Sequence, residues 1–194
     1  METFALAPAA TEVTRVVAGV RDEQLTDPTP CDGTTVAAML DHLVGLTYAF
    51  RMAAEKTPLQ GAPRADADKL PADWRVRLPM QLDALVAAWQ QPSAWEGAAE
   101  AGGASMPASM MGVVALNEVL VHGWDLAVAT GQPYRPDPGA AGRCLAFALE
   151  FADSAPEARD GIYGPVVPVP DDAPVFDRLL GQTGRDPGWT PPAS

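Results

Sequence analysis

The segment Ala108 to Thr130 constrains the fold most. It reads ASMMGVVALNEVLVHGWDLAVAT, apolar on nearly every face, which predicts a helix enclosed by other elements rather than one lying on a surface. Gly131 stands where a helix C-cap is expected, with Pro133 just beyond. Three ionisable residues interrupt this helix. Glu118, His122 and Asp125 are spaced i, i+4, i+7 and so share one stripe. Burying such groups costs free energy unless something compensates them, and a divalent cation is one such partner.

Four more helices are expected around it. One runs from about Ala9 to Val20, with Val13, Val16, Val17 and Val20 on one face. Another starts from a cap at Thr34 or Thr35 and reaches about Lys56, its buried stripe being Met39, Leu43, Leu46 and Phe50. A third spans about Ala72 to Gln91, where Pro79 implies a kink or a start near it. The last covers about Pro138 to Ser154. Residues 57–71 read as a polar, proline-bearing loop, and 92–107 as a small, Gly-rich, mobile link. Beyond Pro156 the chain is proline-rich, with room for one short helix near Asp177. It must drape over the helices, with Tyr163 and Trp189 as anchors. The expected fold is all-α: an antiparallel four-helix bundle, an additional helix and an extended Pro-rich C-terminal segment. Residues 1–155 form the bundle in this reading, and 156–194 pack on it within the same domain.

Charge and composition narrow the function classes. Net charge is −12, from 13 basic and 25 acidic residues, which disfavours nucleic acid and anionic membrane as partners. The N-terminus lacks a basic start followed by a long apolar run, and no stretch approaches 18 uncharged apolar residues. Cys31 and Cys144, far apart in sequence, read as free thiols in a reducing compartment, with a single disulfide as the alternative. A cytoplasmic protein is expected.

The two histidines of the chain both fall in predicted helices. His42 flanks the buried stripe of the second helix and can point inward. Facing helices in a bundle lie about 8–10 Å apart, so His42 can meet Glu118 and His122 at one ion. Two imidazoles and a carboxylate suit catalytic zinc and leave one position open. With zinc(II) they leave a net charge of +1, suited to an anionic ligand such as a thiolate or hydroxide. Asp125 can accept the spare imidazole N–H of His122 and fix its tautomer. Spacing leaves plainer alternatives open: His42 as a core histidine bonded to a carbonyl, Asp125 as half of a helix-face salt bridge. Cys31 is a poor candidate for the same metal shell, and Met106, Met110 and Met111 read as packing. Arg51 and Arg143 are the cations considered for substrate, with a solvated surface role as the alternative.

Three motifs carry a resemblance. PTPCDGTTVAAMLDHLVG (28–45), NEVLVHGWDLAVATGQP (117–133) and GPVVPVPDDAPVFDRLLGQTGRDPGW (164–189) resemble, in order, those of the DinB-like superfamily. The likeness is to its mycothiol-dependent maleylpyruvate isomerase metal-binding branch, and the ending is similar to a short uncharacterised metal-binding subfamily. The resemblance implies a DinB-like four-helix core, zinc held by His42, Glu118 and His122, and dimerisation through helices. Thr34 stands where the branch has Trp, and the chain has no room for the isomerase's additional C-terminal domain. The expected function is thiol chemistry at zinc, a transferase or isomerase using mycothiol or a similar thiol against a small-molecule electrophile. A non-catalytic metal-binding domain is the rival; a metal-free scaffold with the acidic stripe paired to Arg or Lys is the third reading.

Overall fold

The computed structural model describes residues 5–57, 59, 61, 65–154 and 163–192. The readings made for the first four residues, for parts of the 57–71 loop and for 155–162 lie outside the described residues. Those described are mostly helical: α1 (Ala7–Gly19), α2 (Val36–Ala54), α3 (Trp74–Trp89), α4 (Ala108–Ala129), α5 (Pro138–Ser154) and α6 (Val175–Gln182). One small antiparallel sheet joins β1 (Ala98–Ala101) to β2 (Ala104–Pro107).

Local chemistry sets the helix ends. Thr35 caps α2, its hydroxyl oxygen accepting the Ala38 N–H at 3.3 Å. Gly131 follows α4 with φ +68°, a conformation that costs glycine no Cβ clash. α3 starts at Trp74, ahead of Pro79, and carries the proline inside it. Its stripe of Trp74, Leu78, Leu82, Leu85 and Trp89 is buried on both sides of Pro79, and that burial offsets the lost backbone hydrogen bond.

Packing makes α4 the centre. α1 packs on α3 and α4, α2 packs on α3 and α4, and α5 lies on α4. α4 is long and apolar enough to cross a membrane, yet 78% of its most apolar stretch is buried inside the protein. Other helices, not lipid, cover it. α6 packs on α5, with Leu179 and Leu180 buried.

The segment 92–107 is not the mobile link expected. It forms a short 3-10 turn, Pro92–Trp95, and then the hairpin. Gly102 and Gly103, at φ +61° and +81°, make the two-residue turn whose twist matches the strands. Lys56 fastens the segment from outside: its ammonium donates to the carbonyls of Ala94, Glu96 and Ala98 at 3.0, 2.9 and 3.2 Å. Trp95 donates its indole N–H to the Trp89 carbonyl at 2.7 Å.

α1 and α4 approach closely at Gly123, where an added Cβ would lie 2.4 Å from Val13 Cγ2 and 2.8 Å from the Tyr134 hydroxyl. Val13 is fully buried, and Tyr134 is held by its bond to the Leu120 carbonyl at 2.7 Å. Overpacking here costs about 1–3 kcal/mol, against a helix-propensity gain of about 1 kcal/mol for alanine. Gly123→Ala is therefore expected to lower the urea unfolding midpoint. An unchanged or higher midpoint would show that α1 moves aside freely.

Candidate metal centre

α2 and α4 bring His42, Glu118 and His122 together. Each offers one ligand atom, and these atoms all lie within 4.8 Å of one another. The imidazole rings meet edge to face, centroids 5.1 Å apart at 76°. His122 Nε2 lies 3.0 Å from Glu118 Oε2. At metal–nitrogen and metal–oxygen bonds of about 2.0–2.2 Å, adjacent tetrahedral ligands sit roughly 3.3–3.6 Å apart, so small side-chain adjustments suffice to close this set on an ion. The donors fit a divalent metal.

Behind the cluster runs a chain of paired charges. His122 Nδ1 lies 2.9 Å from Asp125 Oδ2. Asp125, with no solvent exposure, also accepts from Arg185: Nη2 at 3.0 Å and Nε at 3.4 Å. Arg185 Nη1 donates to the Thr183 carbonyl at 2.7 Å. Burial opposes charge on all four groups, but their partners prevail. Hydrogen bonds to Asp125 and Glu118 push the His122 pKa up to about 10. His122 holds the Glu118 carboxyl below its ordinary range, and His122 and Arg185 do the same for Asp125. Without metal the row alternates minus, plus, minus, plus, so the acidic stripe is partly paired to an arginine, as the metal-free reading requires. That pairing gives no reason for His42 to meet the same point. A metal ion and the Nε2 proton compete for one lone pair of His122.

The cluster opens into a cavity of about 770 Å³ that His42, Glu118 and His122 all line. Cys31 lines it too, at the turn before α2, where Thr34 N–H donates to the Cys31 carbonyl at 3.0 Å. Thr34 itself is not among the lining residues. Met106 and Met111 face the cavity, whereas Met110 is 40% exposed. Arg51 and Arg143 do not line it. Arg51 pairs with Glu55 at 2.7 Å, and the arginine that reaches the site is Arg185. Cys144 is buried in the core, which pushes its thiol pKa up to about 12.

Sequence reading missed three contributors. Arg185 pairs with Asp125 across 60 residues, and no local pattern announces such a contact. Asn117, 2% exposed, donates Nδ2–H to the Tyr163 hydroxyl at 3.1 Å, while its Oδ1 is buried with no hydrogen-bond partner among the described residues. An acceptor left so costs about 1–3 kcal/mol. The third is the hairpin, whose Ala101, Gly102, Ala104 and Met106 form one wall. Its Gly-Gly pair was the available signal.

Removing one partner of a buried ion pair costs about 3–5 kcal/mol because the other charge remains. Arg185→Met is expected to lower stability by about 3 kcal/mol in urea unfolding of the chelator-treated protein. A loss below about 0.5 kcal/mol would mean that the pair behaves like a surface bridge.

Two uncharacterized proteins of Mycobacterium tuberculosis, from strains CDC 1551 and H37Rv, are similar to this chain. Each is 30% identical over 182 residues, covering 88% of this chain and 90% of its own length. No solved structure matches at a significant level. The family model for the mycothiol maleylpyruvate isomerase N-terminal domain matches residues 6–127, which span α1 to α4 with His42, Glu118, His122 and Asp125; Tyr163 and Arg185 lie beyond it. Matched over more than half its length, the chain belongs to the mycothiol maleylpyruvate isomerase N-terminal domain family.

Proposed function

We propose that this protein holds one divalent ion, zinc, through His42, Glu118 and His122. We further propose that it is a thiol-dependent transferase or isomerase using mycothiol or a similar low-molecular-weight thiol. The observation that carries this reading is the convergence of three ligand atoms within 4.8 Å at the wall of a large cavity. Family membership supplies the thiol: the matched domain is described by mycothiol, a cofactor whose sulfur a zinc ion suits. A bound divalent ion lowers the pKa of a thiol and so supplies thiolate at neutral pH.

The chain's own residues do the rest. Asp125 accepts from His122 Nδ1 and so leaves Nε2 facing Glu118 and His42. Arg185 holds Asp125 charged and in place. Apolar walls limit water around the sulfur. A non-catalytic metal-binding domain is the second reading; the cavity beside the ligands favours the enzyme, since a structural site has its coordination shell closed by protein.

Around this centre we read α1 to α4 as a DinB-like antiparallel four-helix bundle, with the C-terminal segment in the same domain. We place the protein in the cytoplasm as a homodimer, acting on a small-molecule electrophile. The net charge of −12 speaks against nucleic acid or membrane as a partner.

Elemental analysis of the zinc-loaded protein is expected to find about one zinc per chain, and His122→Ala to lose it, as expected for removal of a ligand. No zinc after loading would end the metal reading. With metal-loaded protein, a panel of thiols and a generic electrophile, turnover is expected to depend on His42. Equal rates for wild type and His42→Ala would leave only the non-catalytic reading.

A further inference from the structure

The cavity is much larger than an ion and a sulfur atom require, and its lining has a definite chemistry. Leu46, Phe50, Met111, Val114, Phe147 and Phe151 make it largely apolar. The carboxylates on it are Asp32, Glu118 and Asp186, the first and last exposed. Among the described lining residues the one arginine or lysine is Arg185, and its guanidinium is committed: Nε and Nη2 to Asp125, Nη1 to the Thr183 carbonyl. An anion entering here would give up its hydration and meet carboxylates, with no uncommitted arginine or lysine among the described lining residues to pair it. Once a thiolate has used the net charge of +1 at the proposed ion, no uncommitted positive charge remains among the described lining residues for a second anion.

One polar group in this lining is under-used. Asn117 sits on α4 next to Glu118, and its Oδ1 is buried without a hydrogen-bond partner among the described residues. In the structure its Nδ2 faces the Tyr163 hydroxyl, so the unmatched end is the Oδ1 acceptor. An acceptor asks for a donor.

We propose that the electrophile bound beside the metal centre is an uncharged, largely apolar molecule whose amide or hydroxyl group donates a hydrogen bond to Asn117. The proposal rests on the thiol-chemistry reading for the word electrophile, and on the cavity alone for the ligand's charge and donor. It makes Asn117 a specificity-determining residue and excludes dicarboxylates as the preferred class.

Three molecules of nearly one shape separate charge from hydrogen bonding: cinnamamide, methyl cinnamate and cinnamate. The full chain, freed of metal with a chelator, is titrated with each by calorimetry. Cinnamamide is expected to bind about tenfold more tightly than methyl cinnamate, the scale of one buried hydrogen bond, and cinnamate to bind weakest. In Asn117→Leu the amide is expected to lose its advantage over the ester, with an unchanged far-UV circular dichroism spectrum as the control for folding. Cinnamate binding as tightly as the amide, or no binding by any of the three, overturns the proposal in the wild-type protein alone. An amide advantage that survives Asn117→Leu overturns the role of Asn117. Zinc uptake is scored separately, so a protein that takes no metal yet ranks the amide first discards the thiol reading and keeps this one.

Discussion

A carboxylate with no solvent exposure in the middle of an apolar core helix needs a partner, and Asp125 has two. Arg185 and His122 both reach it, and through them α4 is joined to the C-terminal segment on one side and to the ligand cluster on the other. Leucine or valine at 118, 122 and 125 would fill a core without the desolvation cost, and replacing buried ion pairs by packed apolar groups is often neutral or stabilising. Stability therefore gives no reason for these residues. Their placement in a row, each paired to the next and meeting His42 at a cavity, fits the proposed metal centre.

Positioning such a site takes a rigid backbone, and the packing behind it is tight. Gly123, next in sequence to His122, is where α1 presses against α4 so closely that a methyl group would meet Val13 and Tyr134. Tyr134 in turn donates to the Leu120 carbonyl. The helix is thus braced on the side away from the cavity within one turn of the histidine. Ligands on braced helices are held more narrowly than ligands on loops.

What could be read from sequence was what is local. The stripe of Glu118, His122 and Asp125 needs only helical spacing. The Thr35 cap and the glycine after α4 follow from backbone chemistry within a few residues. The hairpin was also local, since Gly102-Gly103 is a turn pair, but alanines and serine around it hid the strands. Lys56 holds that segment through three carbonyls some 40 residues away, a tie that side-chain pattern does not encode. Arg185 was missed for the same reason. Arg51 and Arg143 drew attention by lying in predicted helices, whereas the arginine at the cavity comes from an irregular segment.

The cavity is built from two sources with different constraints. Its proposed metal ligands come from α2 and α4, within the matched family region, where bundle packing fixes them. Tyr163, Arg185 and Trp189 come from the segment beyond that region, and Gly102 and Met106 from a hairpin that only borders the helices. Chains of this family can therefore alter these walls while leaving the ligand geometry intact, because no bundle helix has to repack when a loop or hairpin side chain changes. Family membership then bears on the centre held by the bundle, and on the proposed reading the choice of ligand rests with the rest of the cavity wall. Here the C-terminal segment presents Asp186 and an arginine already engaged, while the unmatched amide oxygen of Asn117 comes from α4 itself. On the reading proposed above, such a wall selects against charge.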